Sequence, residues 1–127
     1  MKIIFVSVLA IVMVAASLLA ADVTKGRMLR HVVLLKFKEG TSDVEIKKVE
    51  EAFRDLKKKI PEIASLEWGT NNSPEKLDRG FTHCFVLAFK SEQARAVYLP
   101  HPDHKAFGSV LRPVLGDVLV IDYWSRD

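Results

Sequence analysis

The chain has 127 residues, a length that fits a single domain. Its net charge is +3, and the lysines are scattered or confined to one face of a predicted helix, so the composition does not support a nucleic-acid-binding protein. A lone cysteine, Cys84, excludes an intrachain disulfide, so the fold must depend on its own core or on a second subunit.

The first 21 residues have the pattern of a secretory signal peptide, with one lysine, an apolar run and a small-residue end at Ala20 and Ala21. We expect cleavage there or a few residues earlier, which predicts a secreted or periplasmic protein with no membrane association afterwards. Residues 22–28 would then form a short polar lead-in. The alternative is an uncleaved membrane anchor, because the apolar run approaches the roughly 20 residues that span a bilayer.

The remaining chain alternates strand-like and helix-like segments. A capping box at Ser42 and Glu45 opens a helix whose apolar residues recur every three or four positions until Pro61. The predicted order is a strand at 31–38, a helix at 42–60, strands at 63–70 and 81–90, a short helix from 91, a further helical segment after 104 and a strand at 117–124. This order predicts an α+β, ferredoxin-like βαββαβ sandwich whose antiparallel sheet has the first and third strands at its centre.

The two central strands are apolar on both faces. In the first strand, Val33 and Leu35 lie on one face while Val32 and Leu34 lie on the other, and the third strand behaves in the same way. Helices can cover only one face, and the other would leave an apolar patch larger than monomers usually expose. We therefore expect a homodimer, with the two sheets facing each other across a two-fold axis and enclosing a barrel.

Five segments in this order resemble the stress-responsive α/β barrel (Dabb) family over residues 29–125: HVVLLKFK, WG at 68–69, GFTHCFVLAF at 80–89, YLPHPDHKAF at 98–107 and IDYW at 121–124. The resemblance implies a dimeric α/β barrel. Most members have no assigned reaction, but the family includes a cofactor-free polyketide cyclase whose catalytic tyrosine and histidine follow the pattern Y-x5-H, which Tyr98 and His104 match. Because those plant enzymes act inside cells, the signal peptide prevents a simple transfer of their reaction.

The stretch YLPHPDHKAFG contains the residues best suited to chemistry. The Tyr98 phenol could donate to a carbonyl oxygen that gains negative charge, and a neutral His104 could accept a proton. Asp103 is expected to cap the following helix, with His104 in its first turn. The structural alternative is that Pro100 and Pro102 simply separate two helices, with Tyr98 as a core residue.

Further histidines and two aromatic residues are candidates for the wall of a pocket that binds a small hydrophobic ligand: His31, His83, His101, Phe53 and Phe85. We expect His83 to be the better pocket candidate of the two strand histidines, because the second helix returns the chain toward the start of the third strand. A four-histidine metal site is disfavoured, since His31 and His83 begin antiparallel strands and should lie far apart.

Three functions follow from these features. The first is a ligand-binding or stress-associated barrel without turnover, the second a cofactor-free enzyme with cyclase-like aldol or monooxygenase-like chemistry at Tyr98 and His104, and the third a purely structural dimer. No haem, flavin or nucleotide motif is visible in the sequence, so we expect no cofactor.

Overall fold

The computed structural model describes residues 26–127, so the predicted signal peptide and most of the lead-in lie outside the described residues. The elements in chain order are β1 (Leu29–Phe37), α1 (Asp43–Lys59), β2 (Ser65–Thr70), β3 (His83–Phe89), α2 (Glu92–Tyr98), α3 (Pro102–Leu111), a 3₁₀ turn (Arg112–Val114) and β4 (Leu115–Trp124). This order confirms the predicted α+β plan. None of the helices within residues 26–127 combines the length and apolar character needed to cross a bilayer.

The four strands form one antiparallel sheet in the order β2-β3-β1-β4, with β1 and β3 central as predicted. The register pairs His31 with Leu87 and Leu35 with His83. The two histidines are therefore four residues apart along β1, or about 13 Å at a rise of about 3.3 Å per residue. This separation places them at different parts of the helix-facing side of the sheet.

Helix α1 begins with the predicted capping box. The Ser42 Oγ accepts a hydrogen bond from the Glu45 backbone N–H at 3.2 Å, and the Glu45 carboxylate accepts one from the Ser42 N–H at 3.0 Å. These contacts satisfy backbone donors that the first helical turn leaves unpaired. The helix buries Val49, Phe53 and Leu56 against the sheet.

The core lies between the helices and one face of the sheet. Phe53 of α1 stacks on Phe85 of β3, with ring centroids 3.9 Å apart, and also contacts Phe107 of α3 at 4.6 Å. Leu35 and Leu87 are fully buried beside them. These contacts hold α1 and α3 on the same side of the sheet, and they use the inward-facing alternate positions of the central strands.

The opposite face of the sheet is apolar, and no helix within residues 26–127 covers it. Alternation places Val32 and Leu34 of β1 on this face, both half-buried. On the neighbouring edge strand β4 the same face carries large exposed side chains, which are Leu119 at 42%, Ile121 at 54% and Tyr123 at 49%. The prediction that the central strands are apolar on both faces is therefore confirmed.

Cys84 lies on the same open face, on β3, and is half-buried. Burial raises the pKa of its thiol, and the negative charge of Glu67 acts in the same direction. The thiol therefore stays protonated at neutral pH, and Cys84 serves as a small apolar residue of this face.

Candidate functional site

A cavity of about 650 Å³ lies on the helix-facing side of the sheet, between α2, α3 and strands β1 and β4. Its wall has an apolar part formed by Val33, Phe53, Leu99, Phe107, Leu111, Val118 and Val120, and a polar part formed by His31, Tyr98, His104, Lys105, Ser109 and Arg112. Four of the residues singled out from the sequence therefore meet here: Tyr98, His104, His31 and Phe53.

Tyr98 ends α2 and is almost completely buried, with 1% of its surface exposed. Its ring lies 4.3 Å from the His104 ring and 5.8 Å from the His31 ring, measured between centroids. Burial raises the pKa of the phenol well above its ordinary value, and the charge of Asp122 adds to this effect. Tyr98 therefore remains a neutral hydrogen-bond donor at any physiological pH.

His104 lies in the first turn of α3, as predicted. Its Nδ1 is 2.8 Å from the Leu99 carbonyl oxygen, which can only accept a hydrogen bond. Nδ1 must therefore carry the proton, and in the neutral ring Nε2 is left with its lone pair. This tautomer makes His104 a proton acceptor next to the neutral Tyr98 phenol.

The helix cap differs from the prediction. The N-cap of α3 is His101, whose Nδ1 accepts a hydrogen bond from the Asp103 backbone N–H at 3.1 Å. The expectation that Asp103 caps the helix was wrong, because Pro102 occupies the first helical position, where its fixed φ and missing N–H are well tolerated. The residue before the proline then becomes the cap. His101 is thus engaged with the backbone and does not line the cavity.

His31 is held by a chain of hydrogen bonds that crosses three elements. Its Nδ1 lies 2.7 Å from one carboxylate oxygen of Asp122, and the other oxygen accepts a hydrogen bond from Arg95 Nη1 at 2.8 Å. Nδ1 donates to the carboxylate, so the lone pair of the neutral ring again resides on Nε2. Arg95 comes from α2, Asp122 from β4 and His31 from β1.

Sequence reasoning missed both Asp122 and Arg95. Asp122 follows Val118 and Val120 at alternate positions of β4, so it shares their helix-facing side. An acidic residue at the same alternate positions as two inward-facing valines could have been recognised in the sequence as a candidate site residue. Arg95 had no comparable signal, because its contact with Asp122 depends on where α2 crosses the sheet.

His83 and Phe85 lie outside this cavity. Nε2 of His83 lies 2.9 Å from Glu50 Oε1, and Nδ1 of His83 lies 2.8 Å from Thr82 Oγ1. It borders a separate cavity of about 500 Å³ at the other end of β3, while Phe85 is buried beneath Phe53.

The expectation that His83 was the better candidate for the pocket beside HPDH was therefore wrong. Helix α2 has seven residues and spans about 10 Å, whereas the seven residues of β3 span roughly 23 Å. The helix thus returns the chain only part of the way along β3. Tyr98 consequently packs on Phe89, at the end of that strand, and beside His31.

The four histidines do not converge on one point, because only His31 and His104 line the Tyr98 cavity. Within residues 26–127, no group of three or more His, Cys, Asp or Glu side chains is close enough together to hold a metal ion. The chemistry that the arrangement itself supports is hydrogen bonding and proton transfer by Tyr98, His104 and His31.

The family model of the stress-responsive A/B barrel domain (Dabb) matches residues 29–125. The chain belongs to this family. The stress-response A/B barrel domain-containing protein HS1 of Arabidopsis thaliana is 37% identical over 94 residues, covering 74% of this chain and 86% of that protein. Olivetolic acid cyclase of Cannabis sativa is 28% identical over 97 residues, covering 76% of this chain and 96% of the cyclase.

Two solved structures show the same fold. The hydroxynitrile lyase of Passiflora edulis aligns with a TM-score of 0.72 at 25% identity, over 79% of this chain and 94% of the lyase. A Bacteroides fragilis protein of unknown function, described as dimeric and ferredoxin-like, aligns with a TM-score of 0.62 at 26% identity, over 76% and 94% of the two chains. These likenesses confirm the predicted family and the ferredoxin-like fold.

Proposed function

We propose that this Dabb protein is an exported homodimer that binds a small, largely apolar ligand in the cavity beside Tyr98. The observation that carries the proposal is the composition of the cavity wall. Phe53, Phe107 and Val120 form an apolar surface, while Tyr98 and His104 offer one donor and one acceptor at its edge. A mostly apolar pocket with a few convergent polar groups is the usual form of a small-molecule site.

The homodimer is supported by the open face of the sheet. Leu119, Ile121 and Tyr123 form a contiguous exposed apolar edge beside the half-buried residues of β1 and β3. A second copy would bury this surface on both subunits at once through a two-fold interface. The dimeric description of the Bacteroides fragilis neighbour is consistent with this assembly.

A second candidate function is cofactor-free acid–base catalysis in the same cavity. A phenol that stays protonated can stabilise an enolate or alkoxide oxygen, while Nε2 of His104 removes or returns a proton. The closeness of the two rings, 4.3 Å between centroids, favours this candidate. Among the similar proteins, one is a cyclase and one is a lyase, and cyclase-like aldol chemistry would need this kind of pair.

The decisive experiment is native mass spectrometry of the protein purified from its own source. The mass gives the number of subunits, the mature N-terminus and any retained small molecule. A dimer that begins near residue 22 and carries a bound compound supports the proposal. A monomer, an intact leader or an empty protein that binds no apolar compound in a subsequent screen would each contradict one part of it.

The Tyr98→Phe and His104→Gln variants separate binding from catalysis. Both changes nearly preserve side-chain volume, so the fold and the dimer should persist. If a retained compound is converted by the wild type and not by these variants, the site is catalytic. If the compound binds and is recovered unchanged from the wild type, the protein is a binding barrel without turnover.

A further inference from the structure

The charged residues on the wall of the Tyr98 cavity are all basic. Lys105 and Arg112 contribute cationic side chains, while Tyr98, His31 and His104 are the other titratable residues. No Asp or Glu is among the described residues that line the cavity. This differs from the cavity at the other end of the sheet, where Asp78 lies beside Arg79. Asp122, which contacts His31 from outside the lining, is paired with Arg95, so the two cations on the α3 side of the cavity favour an anion there.

The two cations occupy a single stripe of the helix. Lys105, Ser109 and Arg112 are four and then three residues apart, which places them on one side of α3 and its 3₁₀ extension. Arg112 Nη2 donates to Ser109 Oγ at 3.1 Å, and this contact holds the guanidinium along the stripe. Within residues 26–127, neither Lys105 nor Arg112 forms an ion pair with a carboxylate.

The apolar residues of α3 face the interior beside this stripe. Phe107 and Leu111 are buried, and across the cavity Val118 and Val120 of β4 complete the apolar wall. A ligand that satisfies both parts of the wall needs a hydrocarbon body and one anionic end. A carboxylate fits the anionic end best, because the planar guanidinium can donate two parallel hydrogen bonds to it.

We propose that the ligand of this cavity is an apolar carboxylic acid, with its carboxylate bound by Lys105 and Arg112 and its hydrocarbon part packed between α3 and β4. The proposal rests on the ligand-binding function above and specifies its chemical class. It also adds Lys105 and Arg112 to the binding residues and Ser109 as the residue that positions Arg112, none of which the sequence pattern had indicated.

The test compares two probes of equal chain length, octanoate and 1-octanol, by titration calorimetry at low salt. We expect the wild type to bind octanoate about tenfold more tightly, the factor that one charge-assisted hydrogen bond provides at the lower end of its range. The difference should shrink as salt is added, because the cations lie near solvent and are screened.

The double variant Lys105→Met, Arg112→Met removes both charges and keeps apolar stems, and it should bind the two probes equally. Lys105→Met alone is a milder version in case the double variant is unstable. Lys47→Met is the matched control, since Lys47 is exposed on α1 and does not line the cavity. This control should keep the wild-type preference for octanoate.

The outcomes distinguish the two proposals. Equal affinities of the wild type for octanoate and 1-octanol would overturn the acid proposal while leaving the ligand-binding function intact. An octanoate preference that persists in the double variant would also overturn it, because the preference would then come from other residues. If the wild type binds neither probe, the apolar-ligand function fails and the acid proposal fails with it.

Discussion

The open face of the sheet gives the sharpest test of the assembly, through the substitution Ile121→Glu. Ile121 lies in the middle of β4 on the face turned away from the helices, and 54% of its surface is exposed in a single chain. In the proposed dimer, the interface around the two-fold axis would bury two copies of this side chain, one from each subunit. Glutamate would place two like charges in that interface.

The expected loss of dimer stability follows from the exposed fraction of the Ile121 side chain. Burying a whole isoleucine side chain contributes about 1.5–3 kcal/mol of stability. Burying the exposed half of Ile121 in the interface would therefore stabilise the dimer by about 1 kcal/mol per subunit, or about 2 kcal/mol in total. Desolvating a carboxylate costs several kcal/mol for each ion. A total loss of at least about 5 kcal/mol weakens the dimer more than a thousandfold, since each 1.4 kcal/mol corresponds to a factor of about ten.

Sedimentation equilibrium of the purified protein at micromolar concentration measures this change directly. The wild type should have the mass of two subunits, and the Ile121→Glu variant the mass of one. Val44→Glu is the matched control, because Val44 is a similar β-branched residue, 67% exposed, in the first turn of α1. A monomeric wild type, or an Ile121→Glu variant that stays dimeric, would refute the reasoning.

Three predictions concern stability and are read from urea unfolding at fixed protein concentration. Phe53→Ala should cost about 3–5 kcal/mol, because it removes a fully buried ring stacked on Phe85, and a loss below about 1 kcal/mol would contradict the packing. Gly116→Ala should cost about 1–3 kcal/mol, since a Cβ would lie 2.9 Å from the Phe37 carbonyl oxygen; an unchanged midpoint would exclude that clash. The free energy of unfolding should fall above about pH 10 because of Tyr98. Its phenol ionises there in the unfolded chain, whereas burial raises the pKa in the native protein and keeps the phenol protonated. The free energy of unfolding should fall by at most about 1.4 kcal/mol per pH unit, and Tyr98→Phe should reduce this fall. An identical pH profile in that variant would refute the assignment to Tyr98.

Local sequence signals accounted for most of the fold. The capping box at Ser42 and the spacing of Val49, Phe53 and Leu56 predicted α1, and the lack of apolar–polar alternation in β1 predicted two apolar faces. These signals are reliable because each depends on residues a few positions apart in the chain. The family resemblance named Tyr98 and His104 together, and the structure places their rings side by side.

The rest of the site depended on distances that a sequence does not contain. The length of α2 relative to β3 decided that Tyr98 meets His31 instead of His83, and the position of α2 on the sheet brought Arg95 within reach of Asp122. Periodicity shows which side of an element a residue occupies. Only the three-dimensional packing decides which residue of another element lies opposite, because that depends on register and on helix length.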